Sequence, residues 1–108
     1  MKRGEVRWYS FEPPDKRRPV VILTREATIG LLHTVTVAPI TTTIRDIPSQ
    51  VFLSNEDGLH QECAVSLDNI QTVSKSKMGP LITMLSAERM VKIKQAVNFA
   101  LGFDSFFE

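Results

Sequence analysis

With 108 residues, of which 43% are hydrophobic and 23% charged, the chain has the size and composition of one globular domain spanning residues 1–108. Its single cysteine, Cys63, excludes an intrachain disulfide and a cysteine-based zinc site. No apolar run approaches the roughly 18 residues of a membrane span, and the first residues lack the apolar segment of a signal peptide. We therefore expect a cytoplasmic protein, not a membrane protein, a secreted disulfide scaffold or a disordered tail.

The charges are unevenly distributed along the chain. Residues 1–25 carry seven cations and three acids, a net charge of +4, whereas residues 26–74 carry one cation and six acids, a net charge of −5. Residues 75–108, with five cations and three acids, return to +2. This segregation is compatible with one basic and one acidic face. Composition alone favours the alternative, a solvated surface on which the charges mix once the chain folds.

Five β-strands are predicted, mostly in the first two thirds of the chain. Partial alternation of polar and apolar residues indicates a first strand with one wet face, and a continuous apolar run indicates a second strand that is buried on both faces. Alternating β-branched residues indicate a third strand. A fourth precedes a turn with an Asp-Gly signal typical of hairpins, and a fifth is kinked or interrupted at Asp68-Asn69. The predicted strands are residues 4–10, 19–24, 34–38, 51–53, and 63–67 with 70–73.

A C-terminal helix is predicted over residues 86–101. Ser86 is a suitable N-cap, Glu88 lies in the first turn, and Gly102 suits the C-terminal cap. Apolar residues recur at helical spacing between these ends, at Met90, Ile93, Val97 and Leu101. The fold class is therefore β-rich α+β, and barrel-like closure is the natural way for so short a sheet to cover its edges.

The familiar catalytic and cofactor motifs are absent, so we expect no cofactor and no metal site. The chain has no G-x-G-x-x-G, no P-loop, no H-E-x-x-H and no nucleophile elbow. Residues 60–63 contain three possible metal ligands, but nothing else in the sequence completes a site, and we interpret them as a surface turn. Cys63, between Ala64 and Val65, is interpreted as a small buried residue.

Two polar clusters remain as candidate ligand contacts. Lys16, Arg17 and Arg18 follow a proline-containing loop, and arginine binds phosphate through two parallel hydrogen bonds. Three hydroxyls follow a predicted strand, at Thr41, Thr42 and Thr43, and could donate to a phosphate or a base. The alternatives are a solvated charge run and threonines selected for their β-propensity.

Aromatic side chains lie beside the basic loop in sequence. Trp8, Tyr9 and Phe11 precede it, and aromatics interleaved with cations suit the stacking of single-stranded bases. The alternative is that these rings belong to the core, as aromatic residues on short strands usually do. The residues alone therefore carry no more than a limited signature of single-stranded nucleic-acid binding.

Several segments, taken together and in order, resemble the MazF/PemK (Kid) family of toxin endoribonucleases. The segments are KRGEV at 2–6, RPVVILT at 18–24, VAPIT at 37–41, ECAVSLDNIQTV at 62–73, and the helix after Leu85-Ser86. Each motif is short, and their joint order makes the match specific. The resemblance covers nearly the whole chain.

The resemblance implies an SH3-like small β-barrel of the CcdB/PemK type with a C-terminal helix. It also implies a homodimer, metal-independent cleavage of single-stranded RNA, and a cognate antitoxin of the MazE kind. Arg18 and Thr41 fall on the family's catalytic positions, and the segment 12–17 falls on the loop that gates its RNA groove. Other residues expected to contact RNA are Glu12, Asp15, Lys16, Arg17, Thr42, Asp68, Asn69 and Gln71.

The chain departs from the family pattern where substrate sequence is read. Residues 13–17 replace a longer loop that contains Gly/Ser-Glu-Gln in many members, and Gln71 stands where many have arginine. The cut site is therefore not predicted. The general base is also open, because arginine stays protonated; Glu12 and Asp15 are candidates.

Two other function classes remain open at this point. A relative of the CcdB type would poison gyrase by binding, and an SH3-like module would bind a protein partner. Neither would need Arg18 and Thr41 together, so the presence of both favours the enzyme.

A dimer is also expected from the C-terminal tail. Phe103, Phe106 and Phe107 follow the predicted helix, and this is more large apolar surface than a short tail would leave in water. The alternative is that the rings pack on their own helix.

Overall fold

A computed structural model describes residues 1–14 and 16–104, and the strands in this part of the chain pair into one curled antiparallel sheet. Two helices accompany the sheet. In chain order the elements are β1 (Glu5–Ser10), β2 (Arg17–Ile22), α1 (Glu26–Ile29), β3 (Thr34–Thr41), β4 (Gln50–Leu53), β5 (Cys63–Ser66), β6 (Gln71–Ser74), β7 (Leu81–Met84) and α2 (Ala87–Leu101). The predicted strands are all present, with ends shifted by a few residues.

The sheet curls because β3 changes partners along its length. The strand order is β4-β5-β3-β2-β1-β7, and β6 pairs with β3 on the same side as β5. The first half of β3 pairs with β6, and its last residues pair with β5. A short 3₁₀ turn, Leu67–Asn69, separates β5 from β6. The predicted interruption of the fifth strand is therefore confirmed, and the β-rich half-barrel with a C-terminal helix matches the predicted class.

Strand β2 is buried on both faces, as its apolar run predicts. Val21 packs in the core beneath α2, whereas Val20 and Ile22 pack in a second core on the opposite face of the sheet. The prediction that β1 has one wet face is wrong. Val6 lies in the first core and Tyr9 in the second, because β1 also lies inside the curl of the sheet.

Local capping signals set both ends of α2. The Ser86 hydroxyl accepts a hydrogen bond from the Arg89 N–H at 3.1 Å, and Gly102 closes the helix in the left-handed conformation at φ 76°. Ile93 is buried, but Leu101 is 49% exposed, so the predicted apolar face is wrong at its last residue. Leu101 lies about 80° around the helix from Ile93, outside the buried stripe.

Two short elements were not predicted from the sequence. Helix α1 has only four residues, and β7, also four residues long, pairs with β1 at the edge of the sheet. Helix α1 is about one turn long, too short to show a helical period, and the apolar residues of β7 do not alternate regularly with polar ones. Within residues 1–14 and 16–104, neither helix has the length and hydrophobicity that crossing a bilayer requires.

The connection between β4 and β5 is a fixed turn and not a tight hairpin. Ser54 and Asp57 form a reciprocal capping box around the 3₁₀ turn Asn55–Asp57, and Gly58 follows at φ 93°. The Asp57 carboxylate also accepts a hydrogen bond from the Arg89 Nε at 2.9 Å. The turn is thereby tied to helix α2.

Candidate nucleic-acid interface

Strand register brings Arg18 and Thr41 together at the end of the sheet. The β1–β2 ladder pairs Tyr9 with Arg18, and the β2–β3 ladder pairs Val20 with Pro39. Continuing that antiparallel register by two residues puts Arg18 opposite Thr41. Directly opposite residues on neighbouring strands share one face of the sheet, so the two side chains can act on one ligand.

Two clefts meet at this pair, and Arg18, Thr41 and Thr43 line both. The first, with a volume of about 330 Å³, is here named the amide cleft, because its wall also contains Gln50, Asn69 and Gln71. The second, with a volume of about 440 Å³, is named the tryptophan cleft. Its wall also contains Trp8, Lys16, Arg17, Thr42, His60 and Gln61.

Both clefts are lined by cations. Arg18 and Arg45 line the amide cleft, and Lys16, Arg17 and Arg18 line the tryptophan cleft. Among the described residues, no Asp or Glu lines either cleft. A concave surface of one charge sign raises the local concentration of ligands of the opposite sign. The clefts are therefore suited to an anionic ligand.

The tryptophan cleft contains a stacked cation. The guanidinium of Arg17 lies over the ring of Trp8, 4.4 Å from its centroid. This contact holds an otherwise flexible exposed side chain, and it leaves the indole half-buried at the wall of the cleft. The predicted alternation of aromatic and cationic side chains thus occurs in space for this pair, whereas Tyr9 is buried in the core.

The hydroxyl of Thr41 has a defined orientation. Its Oγ1 accepts a hydrogen bond from the Thr43 N–H at 3.1 Å. A hydroxyl that accepts through one lone pair still has its own O–H to donate. Thr41 can therefore donate a hydrogen bond to an oxygen of a ligand bound where the two clefts meet.

Gln50 holds the loop that carries Thr43 and Arg45. Its Oε1 accepts from the Arg45 N–H at 2.8 Å, and its Nε2 donates to the Thr43 carbonyl at 3.2 Å. Neither Arg45 nor Gln50 was identified from the sequence. One signal was available: Arg45 is the only cation in the acidic stretch of residues 26–74.

The predicted RNA-contacting residues divide between the clefts and their surroundings. Asn69 and Gln71 line the amide cleft, and the Asn69 Nδ2 donates to the Ser66 hydroxyl at 2.7 Å. Asp68 lines neither cleft; its carboxylate accepts a hydrogen bond from the buried Ser49 hydroxyl.

Of the two candidate general bases only Glu12 is among the described residues, and it lines neither cleft. Glu12 lines a separate depression with Tyr9 and Gln71, and Asp15 lies outside the described residues. Phe11 and Gln71 line both that depression and the amide cleft, so the two cavities are neighbours.

Cys63 is buried, as the sequence predicts. Burial raises the pKa of its thiol, and the negative charge of Asp57 raises the pKa further. The thiol is therefore held in its protonated form, which is a poor nucleophile. In the described part of the chain no three His, Cys, Asp or Glu side chains group closely enough to hold a metal ion.

The described residues form a small half-barrel with a C-terminal helix and two cation-lined clefts that share Arg18 and Thr41. The chain belongs to the PemK-like, MazF-like toxin family of type II toxin–antitoxin systems, whose family model matches residues 2–101. The resemblance identified from the sequence is thereby confirmed.

Individual relatives agree over most of the chain. It is 42% identical over 90 residues to the endoribonuclease MazF3 of Mycobacterium tuberculosis, an alignment that covers 83% of this chain and 87% of that protein. The solved structure of the M. tuberculosis toxin MazF-mt6 gives a TM-score of 0.84 at 38% identity, with 91% and 96% of the two chains covered. A mycobacterial endoribonuclease, solved in complex with its cognate antitoxin, gives a TM-score of 0.84 at 29% identity, with 94% and 95% covered.

Proposed function

We propose that the chain is a single-domain toxin endoribonuclease that cleaves single-stranded RNA, with Arg18 and Thr41 as its catalytic residues. One observation carries the assignment: in a family whose members are named endoribonucleases, these two residues lie where two cation-lined clefts meet. The proposed place of action is the cytoplasm, where the RNA is available.

The proposed reaction uses the RNA's own nucleophile. The ribose 2′-OH attacks the adjacent phosphorus, and the products carry a 2′,3′-cyclic phosphate and a 5′-OH. Arg18 stabilises the additional negative charge on the phosphorane through its guanidinium. The Thr41 hydroxyl donates to a non-bridging oxygen and holds the phosphate in line for attack. DNA lacks the 2′-OH and is not cleaved.

The two clefts suit nucleotides on either side of the scissile phosphate. The side-chain amides of Gln50, Asn69 and Gln71 can donate to and accept from base edges, whereas Trp8 offers a stacking surface. Lys16 and Arg17 neutralise backbone phosphates. A single strand fits this arrangement because its bases are available for stacking and hydrogen bonding.

The alternatives left open by the sequence are less well supported. A gyrase poison or an SH3-like interaction module would not need a guanidinium and a hydroxyl at the meeting point of two cationic clefts. The match of the family model to residues 2–101 also favours the endoribonuclease.

We propose a homodimer, in agreement with the apolar surface near α2. Phe103 is 76% exposed, and Leu101, Val91 and Met84 are each about half exposed. Phe106 and Phe107, on which the prediction also depends, lie outside the described residues. Sedimentation at micromolar concentration is expected to give twice the chain mass of 12.2 kDa, and a monomer would contradict the proposal.

We also propose inhibition by a cognate antitoxin of the MazE kind. An acidic, disordered segment can occupy the cation-lined clefts as a mimic of the RNA backbone, ordering as it binds. The related mycobacterial endoribonuclease has been solved with its cognate antitoxin.

The experiment that tests the function is cleavage of mixed single-stranded RNA by the purified protein in EDTA. Products with 2′,3′-cyclic phosphate and 5′-OH ends are expected, together with little action on duplex RNA or on DNA of the same sequence. Thr41→Ala is expected to be severely impaired. Cleavage that requires an added metal ion, or products with 5′-phosphate ends, would contradict the mechanism.

A further inference from the structure

We propose that His60 is the general acid that protonates the leaving 5′-oxygen during RNA cleavage. This inference rests on the proposed endoribonuclease function and assigns a proton donor to the same site. The sequence marked His60 only as part of a surface turn. The side chain is exposed, yet it lines the tryptophan cleft together with Arg18 and Thr41.

The chemistry of the cleft walls singles out this imidazole. Besides His60, the titratable groups that line either cleft in the described residues are Lys16, Arg17, Arg18, Arg45 and Cys63. Lysine and arginine hold their protons at neutral pH, and the Cys63 thiol is buried. Imidazole is the side chain that ordinarily gains and loses a proton between pH 5 and 8. His60 is therefore the described group best suited to donate a proton in this site.

The turn that carries His60 is held by independent contacts. Asp57 is bound to Arg89 of helix α2, and the preceding capping box closes around Ser54. Gly58 packs so closely on Thr83 of β7 that a side chain at Gly58 would overlap the threonine side chain. Leu59 is buried in the core beneath α2. The imidazole thus projects from a fixed turn, as a preorganised proton donor requires.

The charged residues that line the tryptophan cleft with His60 are cationic, namely Lys16, Arg17 and Arg18. One acid, Glu62, follows His60 two residues later in the sequence. The same cleft therefore offers cations that can bind a phosphodiester and an imidazole beside them.

The proposed step balances in atoms and electrons. The 2′-oxygen forms a bond to phosphorus and gives its proton to water. The bond between phosphorus and the 5′-oxygen breaks, and its electron pair stays on the 5′-oxygen, which takes a proton from the His60 imidazolium. Neutral imidazole remains and regains a proton from solvent. Arg18 and Thr41 keep the roles given above.

The test is a leaving-group substitution in RNA. A cut site is first mapped with the wild-type protein, and an oligonucleotide is then made in which sulfur replaces the bridging 5′-oxygen at that site. A thiolate leaves without protonation, so a general acid contributes little to its departure. Full-length wild type, His60→Gln and His60→Arg are compared on the oxygen and sulfur substrates, with His33→Gln as the matched control. His33 is an exposed histidine that lines neither cleft.

We expect the His60 variants to lose activity on the oxygen substrate and to keep it on the sulfur substrate. His60→Gln lowers kcat on the oxygen substrate by about 10²-fold with little change in KM, since general acid–base catalysis contributes about 10²–10⁴-fold. The same variant cleaves the sulfur substrate at close to the wild-type rate. His60→Arg retains a cation but not a donor of suitable acidity and behaves like His60→Gln. The limb of the pH–kcat profile that falls as pH rises is absent in both variants.

Two outcomes would overturn the assignment. Wild-type kcat in His60→Gln on the oxygen substrate would show that no proton comes from this residue. An equal loss on both substrates would make His60 a structural or binding residue, and binding of an uncleavable 2′-deoxy oligonucleotide would show which. If the wild-type protein cleaves no RNA at all, the proposed function fails and this inference fails with it; the two failures are therefore distinguishable.

Discussion

The two halves of strand β2 have opposite environments and different tasks. Val20, Val21 and Ile22 are completely buried and contact both cores, whereas Arg17 and Arg18, at the other end of the strand, line the clefts. The buried half fixes the position of the backbone, and the cationic half places its two guanidinium groups at the walls of the clefts. The contrast teaches that stability and activity can be changed separately, even along one strand.

The largest effect on stability is expected from the core that the buried half of β2 shares with α2. Leu53 is completely buried beneath α2, so Leu53→Ala removes packed volume and is expected to lower the free energy of unfolding by about 2–5 kcal/mol. Denaturant unfolding measures this change. Leu31, 80% exposed, is the matched control, and Leu31→Ala is expected to change stability by less than about 0.5 kcal/mol. Equal losses in the two variants would contradict the assignment of the core.

The largest effect on activity is expected from the cationic half of β2. Arg18→Ala removes one preorganised donor from the transition state and is expected to lower the cleavage rate by about 10²–10³-fold. Its denaturation midpoint should stay close to that of the wild type. Arg25→Ala removes an exposed arginine that lines neither cleft, and its rate should not change. A fully active Arg18→Ala would contradict the mechanism.

The buried core and the ends of the elements around it were largely predictable, because the sequence signals for them are local. Ser86 and Gly102 cap α2 as the sequence predicts, and the apolar run of β2 is buried on both faces. The interruption at Asp68-Asn69 was also recognised, since it breaks the pattern of its own segment. Each of these features is determined by residues that are close together in the sequence.

The cation-lined clefts were predictable only in part, because residues from distant segments of the chain form them. The residues alone gave Arg18 and Thr41 as candidate ligand contacts, with a solvated charge run and β-propensity as alternatives, and the family resemblance added the catalytic role. Gln50 and Arg45 reach the amide cleft through two hydrogen bonds within a loop that has no recognisable pattern. His60 reaches the tryptophan cleft because its turn is fastened to α2 and β7. No local signal reports such contacts.

A smaller effect is expected on the affinity for RNA and antitoxin when cations of the tryptophan cleft are removed. Replacing Lys16 and Arg17 together by alanine should weaken both RNA and antitoxin binding, because both ligands would use the same charges. For single-stranded RNA, the slope of log affinity against log salt should fall by about 1.4, or about 0.7 for each lost phosphate contact. Titrations at several salt concentrations measure it.

The matched control for this pair changes the net charge equally. Lys2→Ala combined with Arg25→Ala removes two exposed cations that line neither cleft, and it should leave both affinities nearly unchanged. If the Lys16–Arg17 double variant lost RNA binding while its antitoxin affinity and salt dependence stayed constant, the antitoxin would have to act at another surface.

The smallest effect on stability is expected from Glu5, a charged residue that is buried in the sheet. Glu5 is only 8% exposed, and its carboxylate accepts a hydrogen bond from the Arg7 Nε at 2.7 Å. Burial acts to raise the pKa of Glu5, but the hydrogen bond and charge of Arg7, with smaller contributions from the Lys2 backbone and the N-terminus, hold it below the ordinary value. The folded state therefore binds the Glu5 proton less readily than the unfolded state does.

This difference in pKa makes the contribution of Glu5 depend on pH. It is fully present above the ordinary carboxyl pKa of about 4.3 and is lost as pH falls through the lowered value. Glu5→Gln should be less stable than the wild type at pH 7, by about 1 kcal/mol or less, and the gap should narrow below about pH 4. Thermal unfolding at a series of pH values measures the gap. A gap that stays constant from pH 7 to pH 3 would mean that the pair contributes through packing and not through the charge of the carboxylate.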